Sequence, residues 1–142
     1  MKWVKQSIHY WCPDTKEHKF LGQNVTVAIL DTGISPHPDF KGRILSFRDF
    51  SSTTGSSEKV LFSFSHFSPL IDNSGHGTHV AGILAGSGLL SSGTYAGIAP
   101  FCNLIIGKVL DQNGNGSIKN VINGIQWIRD IYTQFHIRII NI

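Results

Sequence analysis

Residues 24–33 read NVTVAILDTG, and this stretch sets the fold class. Its first part, residues 24–30, is apolar and β-branched, with Gly22 before it and the turn Asp31-Thr32-Gly33 after it. A short continuous apolar run between turn residues reads as a strand buried on both faces. Working outward, residues 103–110 (NLIIGKVL) and 137–142 (IRIINI) repeat the pattern, and residues 43–50 (RILSFRDF) form an amphipathic strand candidate. Helical patterns lie between them. Residues 75–86 place Val80, Ile83 and Leu84 at helical spacing among alanines and glycines, which lets such a helix sit very close to a neighbour. Residues 117–132 carry Ile118, Val121, Ile122, Ile125, Ile128 and Tyr132 at helical spacing behind Ser117, a good N-cap, and this stripe is expected to pack into the core. Strands alternating with helices predict an α/β fold with a parallel sheet built from βαβ units.

Composition narrows the function classes. Hydrophobic residues make up 41% and charged residues only 15% of the 142 residues, the reverse of what a disordered chain shows. Twelve Lys+Arg against nine Asp+Glu give a net charge of +3, with no cluster of five basic residues, so nothing points to nucleic acid. No apolar run approaches the length of a membrane span, and no membrane partner is expected. Residues 1–22 are aromatic and mixed, an N-terminal arm with a short helix or irregular structure, and they lack the apolar core of a secretory signal. Cys12 and Cys102 are isolated and read as free thiols of a reducing compartment, so the expected location is cytoplasmic. Residues 51–57 (SSTTGSS) read as a surface loop, and residues 61–70 (LFSFSHFSPL) as a lining for a pocket or a cover for the sheet.

Chemistry concentrates in three places. Asp31 is a carboxylate at the carboxyl end of a buried strand, the edge where α/β sheets gather ligands and catalytic groups. Residues 72–82 (DNSGHGTHVAG) put the His76 imidazole at the start of a glycine-rich helix. Residues 108–128 (KVLDQNGNGSIKNVINGIQWI) form the third. Taken together, VAILDTGISPHPDF, SGHGTHVAGILAG and GIAPFCNLIIGKVLDQNGNGS resemble, in order, the aspartate, histidine and cleft-wall segments of the subtilisin-like serine peptidases. The resemblance implies a three-layer α/β/α sandwich with a mainly parallel sheet, residues 23–142 being the N-terminal half of a peptidase domain. It implies that Asp31 accepts the Nδ1 proton of His76, and that His76 is general base to a serine and general acid to the leaving amine. It further implies that Leu110 faces a substrate side chain, and that Gly114, Asn115 and Gly116 pair with an extended peptide by strand addition. Protein or peptide substrates are the expected partners.

The sequence departs from the family at the nucleophile. Gly93-Thr94 is followed by Tyr95 and Gly77-Thr78 by His79, so the family's Gly-Thr-Ser-x-Ala segment is absent from these residues, as is the asparagine that stabilises the oxyanion. The chain on its own is expected to be inactive, with a C-terminal half as the missing partner; a non-catalytic peptide-binding relative is the alternative class. No cofactor is expected. His76 and His79 share an H-x-x-H spacing without a third metal ligand, and His79 reads as a hydrogen-bonded structural histidine. Asp111, Asn113, Asn115 and Gly116 mimic half of a calcium loop whose twelfth position is Ile122 rather than glutamate. In some relatives the aspartate matching Asp39 helps hold a structural calcium, although residues 88–97 do not resemble the usual calcium loop. Asp72, four residues before His76, reads first as a solvated loop carboxylate and second as a charge that raises the imidazole pKa by proximity, and a D-T-G turn alone also suits an aspartic peptidase, which the helical pattern of residues 117–132 opposes.

Overall fold

A computed structural model describes residues 2–8, 10, 20–51, 58–60 and 72–142. Cys12 and the readings placed on residues 52–57 and 61–70 lie outside these residues. In chain order the elements are α1 (Lys2–Ser7), β1 (Thr26–Asp31), β2 (Ile44–Asp49), β3 (Glu58–Val60), α2 (His76–Ala85), β4 (Asn103–Lys108), α3 (Ile118–Phe135) and β5 (Ile137–Asn141). They form a five-stranded sheet of order β3-β2-β4-β1-β5. Strands β2, β4, β1 and β5 run parallel and β3 is antiparallel on β2. The carboxyl ends of the four parallel strands therefore share one edge.

Side-chain alternation divides the core into two layers. Val27 and Ile29 of β1, with Leu104 and Ile106 of β4, meet Ala81 and Ala85 of α2. Ala28, Leu30 and Ile105 face the other way, onto Trp127, Ile128 and Phe135 of α3. The arrangement is the expected α/β/α sandwich. The same two-residue period puts Asp31, two positions past Ile29, on the α2 side, and Lys108, two past Ile106, beside it in register.

Helix α2 has little of an apolar stripe. It buries small residues one turn apart, Gly77, Ala81 and Ala85, and so lies close against the sheet. The contact is tightest at Gly77, where a Cβ would stand 2.3 Å from the carbonyl oxygen of Gly33. At the start of α3, Ser117 Oγ accepts from the Asn120 N–H at 3.1 Å, as its N-cap role requires.

Several expectations are corrected. The α3 isoleucine stripe is not core: Ile118, Ile122, Ile125 and Tyr132 are exposed, and only Val121 and Ile128 of the six face the sheet. Trp127 and Phe135 carry more apolar surface than the isoleucines, and they set which face of the helix is buried. For the same reason α3 runs on past Tyr132 until His136 adopts a left-handed φ of 52°. Strand β3 is also new, since a three-residue edge strand has no apolar run to mark it. No helix among the described residues is long and apolar enough to cross a membrane.

Candidate active site

Asp31 ends β1 and His76 opens α2, so the sheet edge and the helix start bring a carboxylate and an imidazole together. His76 Nδ1 lies 2.8 Å from Asp31 Oδ1 and 3.0 Å from Oδ2. The Asp31 side chain is 8% exposed and also accepts the Thr32 N–H at 2.6 Å, whereas the His76 ring is 64% exposed. The imidazole pKa is raised, first by the hydrogen bond to Asp31 and then by that carboxylate's charge, with a smaller contribution from Asp72. With Nδ1 bound to the acid, Nε2 is the nitrogen left to face a reacting group.

Two further residues, Asp72 and Lys108, brace the surroundings of this pair. Asp72 is not a solvated loop carboxylate. It accepts from Thr32 Oγ1 at 2.8 Å, from the N–H groups of Ser74 and Gly75 at 3.2 and 2.8 Å, and from Thr78 N and Oγ1 at 2.8 and 2.5 Å. Burial raises its pKa, yet these hydrogen bonds, led by those from Thr78, outweigh burial and hold it at about 2. Lys108, buried beside Asp31, donates to the carbonyls of Thr32 and Leu110 at 2.5 and 3.0 Å and so links the acid's turn to the next segment. The signal available for Lys108 was an ammonium closing an otherwise apolar strand, NLIIGK.

That next segment is the expected cleft wall. Val109 and Leu110 donate their N–H groups to the Asp31 carbonyl at 2.9 and 3.2 Å, so the wall begins one hydrogen bond from the acid. Leu110 is partly buried against the α3-side core, and Gly114 to Gly116 form an exposed turn. A Cβ at Gly116 would meet the Val109 carbonyl oxygen at 2.6 Å, which is why glycine is required there. Asn115 differs from its expected role. Its N–H goes to Asp111 Oδ1 at 3.0 Å and its carbonyl takes the Asp111 N–H at 2.7 Å, so its backbone is turned inward. Gly114 likewise turns its N–H onto the Asp111 carbonyl, at 3.2 Å, with a left-handed φ of 78°.

Asp39 Oδ2 and Oδ1 accept the N–H groups of Gly88 and Leu90 at 3.0 and 3.3 Å. Asp111 is likewise an acceptor for its own loop, and no group of three or more His, Cys, Asp or Glu that could hold a metal occurs among the described residues. His79 is exposed rather than a hydrogen-bonded structural histidine. With His37, Phe40, Ile83 and Tyr95 it lines a groove of about 460 Å³ on the outer side of α2.

A buried carboxylate tied to Nδ1 of an otherwise open imidazole, at the carboxyl edge of a parallel sheet, defines an α/β protein equipped for proton relay to a nucleophile. The chain belongs to the Subtilase family, Peptidase_S8, whose profile matches residues 22–142. It is 47% identical over 106 residues to Serine protease AprX of Bacillus subtilis, covering 75% of this chain and 21% of that one. It is 41% identical over 108 residues to the Major intracellular serine protease of the same organism, covering 75% and 30%. The CspB protease of Clostridium perfringens superposes with a TM-score of 0.74 at 25% identity, covering 92% of this chain and 31% of that structure. The chain thus spans 21% to 31% of the length of these proteins. The family comprises serine endopeptidases acting on protein or peptide substrates.

Proposed function

We propose that this chain supplies the Asp-His part of a subtilisin-like serine endopeptidase, with the serine nucleophile and the oxyanion donor contributed by sequence outside these 142 residues. The observation that carries the reading is the Asp31–His76 hydrogen bond at 2.8 Å, with the ring otherwise open. In the proposed scheme His76 Nε2 takes the proton of a serine hydroxyl as its oxygen attacks the scissile carbonyl. Asp31 stabilises the imidazolium that forms, in keeping with the raised imidazole pKa. The proton then passes to the leaving amine, and water releases the acyl group by the same route. The scheme needs no cofactor.

Substrate binding falls to Leu110, the Gly114 carbonyl and the backbone of Gly116, which would hold an extended peptide in register with the wall. Among the described residues no hydroxyl or thiol is bonded to His76 Nε2, and removing the serine from such a triad costs on the order of 10⁶ in turnover. The test is a chimera of AprX in which residues 22–142 replace the matching segment. It should hydrolyse peptides and react with a fluorophosphonate, and Asp31→Asn should lower turnover about 10⁴-fold through the wrong tautomer. The 142-residue chain alone should do neither. A folded chimera that binds peptide without turnover would favour the non-catalytic relative instead.

A further inference from the structure

We propose that Asp72 is a positioning residue for the Asp31–His76 pair: its carboxylate joins the turn after Asp31 to the helix turn that carries His76. The inference deepens the peptidase reading, but its observable is the imidazole itself. Asp31 and His76 come from different elements, 45 residues apart. An ion pair with one partner mostly in water gains too little to fix the register of a helix against a strand. Something else must hold the 2.8 Å contact.

The first turn of α2 shows what does. Its leading N–H groups need acceptors, and its N-cap, Gly75, has no side chain to offer one. The acceptors come from elsewhere. Gly77 N–H donates to Thr32 Oγ1 at 2.9 Å, and Thr78 N–H donates to Asp72 Oδ2 at 2.8 Å. Thr32 Oγ1 in turn donates to Asp72 Oδ1 at 2.8 Å, which closes the bridge. A hydroxyl has one proton to give, so with that proton committed to Asp72 its lone pairs are turned to Gly77. Thr32 directly follows Asp31, and Gly77 directly follows His76. An N-cap at position 75 would satisfy the same amides while leaving the helix free to shift on β1. A carboxylate shared between the helix and the β1 turn does not allow that shift.

Nitrogen-15 NMR of His76 in the full 142-residue chain tests the proposal. In the parent chain the neutral ring should carry its proton on Nδ1, against Asp31. Asp72→Asn replaces an acceptor with a donor facing Thr78, and the Nδ1–H to Nε2–H ratio should fall about tenfold, the worth of one ordinary hydrogen bond. Thr32→Val leaves both carboxylate charges in place and should produce the same loss, which Thr32→Ser restores. Asp39→Asn, in the cap of the loop after α2, serves as a destabilised control in which His76 is unchanged. The proposal is overturned if Asp72→Asn and Thr32→Val lower the melting temperature but leave the tautomer as in the parent, or if Asp39→Asn shifts it equally. Should Asp72→Asn fail to fold, the Thr32→Val and Thr32→Ser pair decides. A silent chimera would count against the peptidase reading and leave this measurement intact; an active chimera with an unmoved tautomer would remove the positioning role alone.

Discussion

Asp31 is almost wholly withdrawn from water while the His76 ring, hydrogen-bonded to it, is mostly in solvent. Folding raises the imidazole pKa above its ordinary 6.5. The stabilisation it brings is therefore full below that value and is lost as the pH rises through the higher folded-state pKa. A proton NMR titration should find His76 above 6.5, and Asp31→Asn should bring it back down and flatten the pH dependence of stability in that window. Lys108 acts at the same scale by a different route. Lys108→Met leaves the buried Thr32 carbonyl without its donor, and urea unfolding should show a loss of about 1–3 kcal/mol. Asp31 and His76 were legible because DTG and GHGTH are distinctive strings. Asp72 and Lys108 were not, because a carboxylate or an ammonium becomes informative only once its hydrogen-bond partners are known, and Thr32 lies 40 and 76 residues from them.

Helix α2 meets β1 backbone to backbone at Gly77, where the Gly33 carbonyl has nowhere to retreat. Gly77→Ala should cost about 1–3 kcal/mol by overpacking, and in the folded fraction it should lower the His76 pKa, because the helix start is pushed off the acid. Asp72 gives the same helix an acid-sensitive start. Its carboxyl is held at about 2 against an ordinary 3.8, so its contribution is present above 3.8 and disappears as the pH falls through about 2. Urea midpoints recorded between those values should fall in the parent chain and stay level in Asp72→Asn. The periodicity of residues 117–132 announced α3, but the choice between its two apolar stripes was settled by Trp127 and Phe135. Both aromatics sit outside the isoleucine stripe, so periodicity alone favoured the wrong face.

At the scale of the whole molecule, the unused stripe of α3 (Ile118, Ile122, Ile125 and Tyr132), the exposed Ile139 and Ile140 of β5 and Ile142 just after it give this chain exposed apolar surface. Among the described residues β5 pairs only with β1, so its other edge is open to another chain. Light scattering should find the 142-residue chain associating as its concentration rises, and Ile139→Lys with Ile140→Lys should return it toward monomer. The sequence by itself determined the α/β class, the order of the parallel strands and of the helices between them, and the acid and imidazole of the candidate site, because apolar periodicity and short motifs are local properties of the chain. Only the tertiary structure decided which helix face is buried, that β3 pairs at the sheet edge, and that Asp72 and Lys108 brace the turn after Asp31. Those outcomes depend on which distant groups share a surface or a proton, and spacing along the chain does not encode that.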